Sequence, residues 1–185
     1  MDKKKYASNI FWAAILYISL ICLDQFSKVF AKEHLSNNKP FVIIKDVFEF
    51  NYLEGGNKGA AWGLLSGHIT ILSIISVVMT VISICVVIRI THVLITKSLD
   101  IKTINKYNLI RVLTVFFGAG AIGNAIDRIA NKYVIDFIYF KLINFPIFNI
   151  ADIYVVVSTI SLAIIIAFFV SDDELKVLVS DKENN

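Results

Sequence analysis

Residues 123–152 read GNAIDRIANKYVIDFIYFKLINFPIFNIAD, a polar crossing between two long apolar runs. The first run leaves with Asn124, Asp127 and Arg128, the second begins with Asn149 and Asp152, and Asp136 lies between them. Carboxylates at the mouths of apolar helices lose hydration and need either a partner or a use. The acids of this crossing therefore point to acid–base chemistry at a membrane surface.

Outward from that stretch, the chain is too apolar for an ordinary soluble domain. Of its 185 residues 57% are hydrophobic and 18% charged, and the mean hydropathy is +0.71. The net charge of +3 is spread in clusters and suggests no nucleic-acid partner. Runs at about residues 10–30, 69–90, 109–127 and 150–170 approach the ~20 residues that a helix needs to cross a bilayer. The fold class expected is an all-α membrane protein, one domain over 1–185. It has four transmembrane helices, a small extracytoplasmic β-sheet and flap-like loop in residues 40–66, and a flexible acidic tail at 172–185. The first run follows Lys3, Lys4 and Lys5 as a secretory signal would. Asp24, Gln25 and Lys28 continue it with no small-residue cleavage pattern, so it reads as a retained helix.

Lys and Arg near the span ends set the expected orientation. Lys3 to Lys5, and the connection with Arg89, Lys97, Lys102, Lys106 and Arg111, are assigned to the cytoplasm with both termini. Residues 31–68 and 128–148 then face outward. Cys22 and Cys85 fall at different depths of their helices, by about 10 Å at ~1.5 Å per residue, which is too far for a disulfide. They are expected as free thiols packed like small apolar groups.

LDQFSK (23–28) ends the first run, with Asp24 and Lys28 on one helical face, either paired with each other or supporting a polar site. In FVIIKDVFEFNY (41–52), Phe48, Phe50 and Tyr52 alternate with Glu49 and Asn51 at the period of a strand, and Lys45-Asp46 suits a turn before it. The aromatic side of this sheet is expected to face lipid or substrate. EGGNKGAAWGLLSG (54–67) lacks the spacing of a phosphate loop and reads as a mobile flap that places Asn57 over a site, with Trp62 as an interfacial anchor.

In the second run Ser73, Ser76, Thr80 and Ser83 suit helix packing in lipid, and His34, His68 and His92 lack metal-ligand spacing. In the third, Ala119 and Gly123 permit close helix approach while Asn124, Asp127 and Arg128 share one face. Asp127 and Arg128 could satisfy each other there, or belong to a substrate-binding cluster. Asn149 and Asp152 have the spacing of a capping box, yet Asp152 would also lie inside the membrane boundary.

LDQFSK (23–28), NKGAAWG (57–63), GNAIDR (123–128), VIDF (134–137) and FNIAD (148–152) together resemble the motifs of bacterial lipoprotein signal peptidase, also called signal peptidase II. The resemblance implies a membrane aspartic endopeptidase that cleaves the signal peptide from diacylglyceryl-modified prolipoproteins just before the lipidated cysteine. By it the catalytic pair is Asp136 and Asp152. Asn57, Gly59, Asn124, Arg128 and Asn149 line the substrate site, and Asp24, Lys28 and Asp127 support it. Trp62 stands where a phenylalanine is common. No metal or other cofactor is implied. The partners implied are lipid-modified prolipoproteins and membrane lipid, with the protein a monomer in the bacterial cytoplasmic membrane and its site near the extracytoplasmic face. Like carboxylates about 3 Å apart share one proton, so the pair can both deprotonate water and protonate a leaving nitrogen. Asp152, at a helix start, is expected to be the more acidic. A small transporter or channel using intramembrane acids, or a non-catalytic scaffold, are the competing classes.

Overall fold

The computed structural model describes residues 2–59 and 67–179. Its long helices are α1 (Lys3–Leu35), α2 (Ile69–Thr96), α3 (Ile101–Asn131) and α4 (Ile150–Phe169), each long and apolar enough to cross a membrane. Strands β1 (Phe41–Ile44) and β2 (Phe48–Phe50) follow α1, β3 (Ile138–Phe140) follows α3, and a short helix α5 (Asp172–Val179) follows α4.

Helix ends follow local chemistry. The Asp2 side chain accepts from the amides of Lys4 and Lys5, and the Asp100 side chain accepts from those of Lys102 and Thr103, so α1 and α3 both start on an aspartate cap. That cap starts α3 at Ile101, a full two turns before the apolar run at 109, and its last turn reaches Asn131 beyond 127. The polar first turns, with Lys102 and Lys106, hide this extension from a search for apolar residues. α1 likewise runs past 10–30 at both ends, because its 33 residues span ~50 Å against a ~30 Å hydrocarbon layer.

α3 is the axis of the bundle. The central window of α3 is 56% buried, against 6% for α1 and 17% for α4. The buried residues of α1, Leu20, Asp24, Lys28 and Ala31, form one stripe, and Tyr17 meets Ser83 of α2 at 3.0 Å. Close approach is possible because α3 carries glycine where neighbours crowd. A Cβ on Gly120 would lie 2.5 Å from the Ala151 carbonyl, and one on Gly123 2.6 Å from an Asp24 carboxylate oxygen. The small-residue spacing read at Ala119 and Gly123 thus serves contact with both α4 and α1. Cys22 and Cys85 are free thiols, but both are exposed on the apolar belt instead of packed.

The strands form one antiparallel sheet in the order β1-β2-β3. Phe48 pairs with Phe140 and Phe50 with Ile138, while Asp46, at φ 58, turns the chain between β1 and β2. The aromatic side, expected to face lipid or substrate, is partly covered by the ends of α1 and α4. Phe48 and Phe50 pack with Tyr52, Phe137 and Phe148 over Ala31 at the end of α1 and Ile150 at the start of α4. The sheet is thereby fixed to the helices that carry the polar crossing. Glu49, between the two phenylalanines, is buried and meets Lys141 at 3.4 Å.

The acidic tail, expected to be flexible, begins with a short helix. Asp172–Val179 is helical, and Glu174 accepts from Lys106 at 2.7 Å and from the Thr103 hydroxyl at 3.0 Å. Residues 180–185 and the expected flap segment 60–66, including Trp62, lie outside the described residues.

Candidate active site

Asp136 sits in a strap between α3 and β3. Its backbone carbonyl accepts from Leu53 at 3.0 Å, and the neighbouring Phe137 carbonyl accepts from Asn51 at 2.9 Å. Val134 and Asn57 exchange two backbone bonds, at 2.8 and 2.9 Å, and Phe137 and Ile138 both donate to the Phe148 carbonyl. A segment without a long strand of its own is thus held from both sides. Gly56 lets the chain turn into this bridge at φ 67, and a Cβ there would overlap the Tyr133 ring.

Asp152 is fixed from the other direction. Asn149 is the N-cap of α4, its side-chain oxygen accepting from the Asp152 amide at 3.0 Å, and the Asp152 carboxylate accepts from the Asn149 amide at 3.2 Å. The capping-box reading is correct, and it leaves the second Asp152 oxygen to Asn124, which donates at 2.8 Å.

The same two asparagines join the acids. Asn149 Nδ2 donates to Asp136 Oδ1 at 2.6 Å and to Asn124 Oδ1 at 3.1 Å. Asn57 Nδ2 donates to the other Asp136 oxygen at 2.9 Å, while its own oxygen accepts from the Gly59 amide at 2.9 Å. Every amide in this chain has its orientation set by a second bond, which leaves little freedom to either carboxylate. Asp136 is fully buried and Asp152 is partly open. Burial, and then the charge of Asp152, push the Asp136 carboxyl up to about 7, outweighing the bonds from Asn57 and Asn149 that favour its ionised form.

Beneath the acids lies a buried ion cluster. Lys28 Nζ meets Asp24 at 2.9 Å, Asp127 at 3.1 Å and Asn124 Oδ1 at 3.0 Å. Lys28 and Asp24 do pair with each other, and the pair is not isolated, since the same ammonium also reaches Asp127 and Asn124. Asp24 accepts from the Ala151 amide at 2.9 Å, adding its charge to the positive end of α4, and Asp127 accepts from the Ile135 amide at 3.0 Å, next to Asp136. Asp127 pairs with Lys28, and its neighbour Arg128 turns elsewhere: Arg128 donates to the Gly59 carbonyl at 3.3 Å and to Ser76 Oγ at 3.4 Å. Beside Arg128 a cleft of about 450 Å³ runs between α2 and α3, walled by Ile69, Ser73, Ile74, Val77 and Ile129.

All ten sequence-selected residues therefore fall in one connected region. Gln25 was missed. Its amide donates to Asp24 at 3.0 Å, the Gly123 carbonyl at 3.1 Å and Asp127 at 3.4 Å. Sitting one residue after Asp24, it leaves the i, i+4 face, and only its place inside LDQFSK marked it. Ser76 was read as helix packing and also receives Arg128.

A profile of the family described as signal peptidase (SPase) II matches residues 16–169. The chain is similar to the lipoprotein signal peptidase of Clostridium novyi (strain NT), 38% identical over 153 residues, covering 81% of this chain and 93% of that one. To the lipoprotein signal peptidase of Clostridium tetani (strain Massachusetts / E88) it is 37% identical over 164 residues, covering 86% and 92%. The fold is similar to a bacterial membrane enzyme solved by the in meso method at 2.3 Å resolution, with a TM-score of 0.65 and 27% identity, covering 95% of this chain and 96% of that one.

Proposed function

The chain belongs to the signal peptidase II family, and from that premise we propose that it is an aspartic endopeptidase of the bacterial membrane. It cleaves the signal peptide from diacylglyceryl-modified prolipoproteins just before the lipidated cysteine. Asp136 and Asp152 do the chemistry. The observation that carries this reading is the bridge of Asn149 and Asn124, which holds one oxygen of each carboxyl at 2.6 and 2.8 Å from neighbouring amide groups of one hydrogen-bonded chain.

Two carboxyls so linked, one of them fully buried, cannot easily both ionise. Asp152, in the first turn of α4 where the helix dipole favours negative charge, is assigned as the ionised base, and Asp136 as the holder of the shared proton. Asp152 takes a proton from a water molecule as that water adds to the scissile carbonyl. Asp136 donates its hydrogen bond to the carbonyl oxygen as negative charge develops, and the leaving nitrogen then receives a proton from the pair. The two carboxyls supply both acid and base.

Asn57, Gly59, Asn124, Arg128 and Asn149 bind the substrate backbone and orient the pair, and Asp24, Lys28 and Asp127 support them. The apolar cleft beside Arg128 is suited to an apolar chain of the substrate. Both termini face the cytoplasm and the site opens at the extracytoplasmic face, which agrees with Lys3 to Lys5 and the Arg89–Arg111 connection lying at the opposite end from Asp136.

The test is incubation of the purified protein with a prolipoprotein in lipid-modified and unmodified forms, beside Asp152→Asn. Wild type should release a product whose mass begins at the lipidated cysteine, from the modified form alone. Equal cutting of both forms, or release by Asp152→Asn at the wild-type rate, would sink the proposal.

A further inference from the structure

Arg111 is a membrane-embedded cation that the polar cluster does not use. It lies on α3 ~20 Å before Asn124 at ~1.5 Å per residue, level with Asn9 at the start of the apolar run of α1, and so at the opposite edge of the apolar belt from the cluster. Its Nη1 donates to Asn9 Oδ1 on α1 at 3.0 Å and to Thr91 Oγ1 on α2 at 3.3 Å. Both acceptors are set by other bonds. The Asn9 amide donates to the Lys5 carbonyl at 3.0 Å, which turns its oxygen to Arg111, and the buried Thr91 hydroxyl donates to the Val87 carbonyl at 2.8 Å.

Both partners are neutral, and among the described residues no ion pair includes Arg111. Of the acids on this side, Glu174 is held by Lys106, Asp100 by the first-turn amides of α3 and the Thr103 hydroxyl, and Asp2 by the amides of Lys4 and Lys5. A partly buried guanidinium at a membrane boundary is costly without a counter-charge. With Nη1 engaged, the Nε and Nη2 donors are left, and these form the forked edge that matches a phosphate with two parallel bonds. Exposed Lys3, Lys4 and Lys5, on the turns of α1 before Asn9, add positive potential.

We propose that Arg111, positioned by Asn9 and Thr91, is a phosphate-binding site, and that at this depth the phosphate is that of a membrane lipid seated where α1, α2 and α3 meet. The site is independent of the peptidase reading, since it lies at the opposite end of the bundle.

The test is native mass spectrometry of the delipidated full chain with phosphatidylglycerol, with a phosphate-free galactosyl diacylglycerol, or with inorganic phosphate. Wild type should retain phosphatidylglycerol in preference to the glycolipid. Arg111→Gln should lower the phosphatidylglycerol-bound fraction roughly tenfold and leave the glycolipid fraction unchanged. Arg111→Lys keeps the charge but loses the fork, so it should fall between the two, and it decides the matter if Arg111→Gln does not fold. Phosphatidylglycerol retained equally by wild type and Arg111→Lys, or glycolipid retained as well as phosphatidylglycerol by wild type, would overturn the proposal. Inorganic phosphate retained by wild type as well as phosphatidylglycerol would keep the phosphate chemistry and overturn the lipid source.

Discussion

At the α5 end of the bundle Glu174 meets Lys106 at 2.7 Å, while the Tyr107 hydroxyl donates to the Glu174 carbonyl at 2.7 Å and Arg89 to the Leu178 carbonyl at 2.7 Å. At the Asp136 end four carboxyls, Asp24, Asp127, Asp136 and Asp152, gather around Lys28, with the charge of Arg128 nearby. The first arrangement pairs one acid with one base and so pins a helix. The second has more acids than bases, buried, and can relieve the excess by holding a proton. Balanced charge makes a clasp, and the excess of buried carboxyls in a partly open site is what the proposed acid–base pair rests on.

If that contrast is right, the two ends respond differently to substitution. Asp136→Asn and Asp152→Asn should each lower kcat/KM by about 10³-fold, the range of general acid–base catalysis, with helix content unchanged by circular dichroism. Lys28→Met leaves Asp24 and Asp127 buried without their cation. It should cost ~3–5 kcal/mol, read as a lowered midpoint of thermal unfolding in detergent, with activity lost in parallel. Gly120→Ala drives a methyl against the Ala151 carbonyl, which the start of α4 can escape only by moving Asp152. It should cost ~1–3 kcal/mol in stability and lower kcat more than its effect on KM. Glu174→Gln should do least: faster hydrogen exchange over Asp172–Val179, and cleavage within about twofold of wild type. Because the Glu174 carboxyl is depressed to about 2 by Lys106, the same loosening should appear in wild type only as pH falls from the ordinary glutamate range towards that value.

Residues singled out from the sequence lie together in the fold more closely than the expected helix boundaries match the observed ones. Apolar runs and charge at their ends were enough for the long helices, because a bilayer demands both. The start of α3 was invisible to that reading, since its first turns are polar and its start signal is the Asp100 cap. α5 was read as a tail because acids in its first turn look like solvated charge until Lys106, distant in sequence, is brought to Glu174. Within the site, Asp24 with Lys28 and Asn149 with Asp152 were legible from helical spacing. That Lys28 reaches Asp127 depends on how α1 packs on α3, and that Asn149 reaches Asp136 depends on how the strap from Val134 to Ile138 is held against Asn51, Leu53, Asn57 and Phe148, neither of which a local pattern encodes.

The most direct test of the shared-proton pair is the dependence of kcat/KM on pH between about 5 and 9 on a lipid-modified substrate. Asp136 must hold its proton to act as the acid, and its carboxyl is raised to about 7, so the group is protonated below that value and ionised above it. The account predicts activity that falls about tenfold per pH unit above roughly 7. Activity that stays level or rises to pH 9 would contradict it.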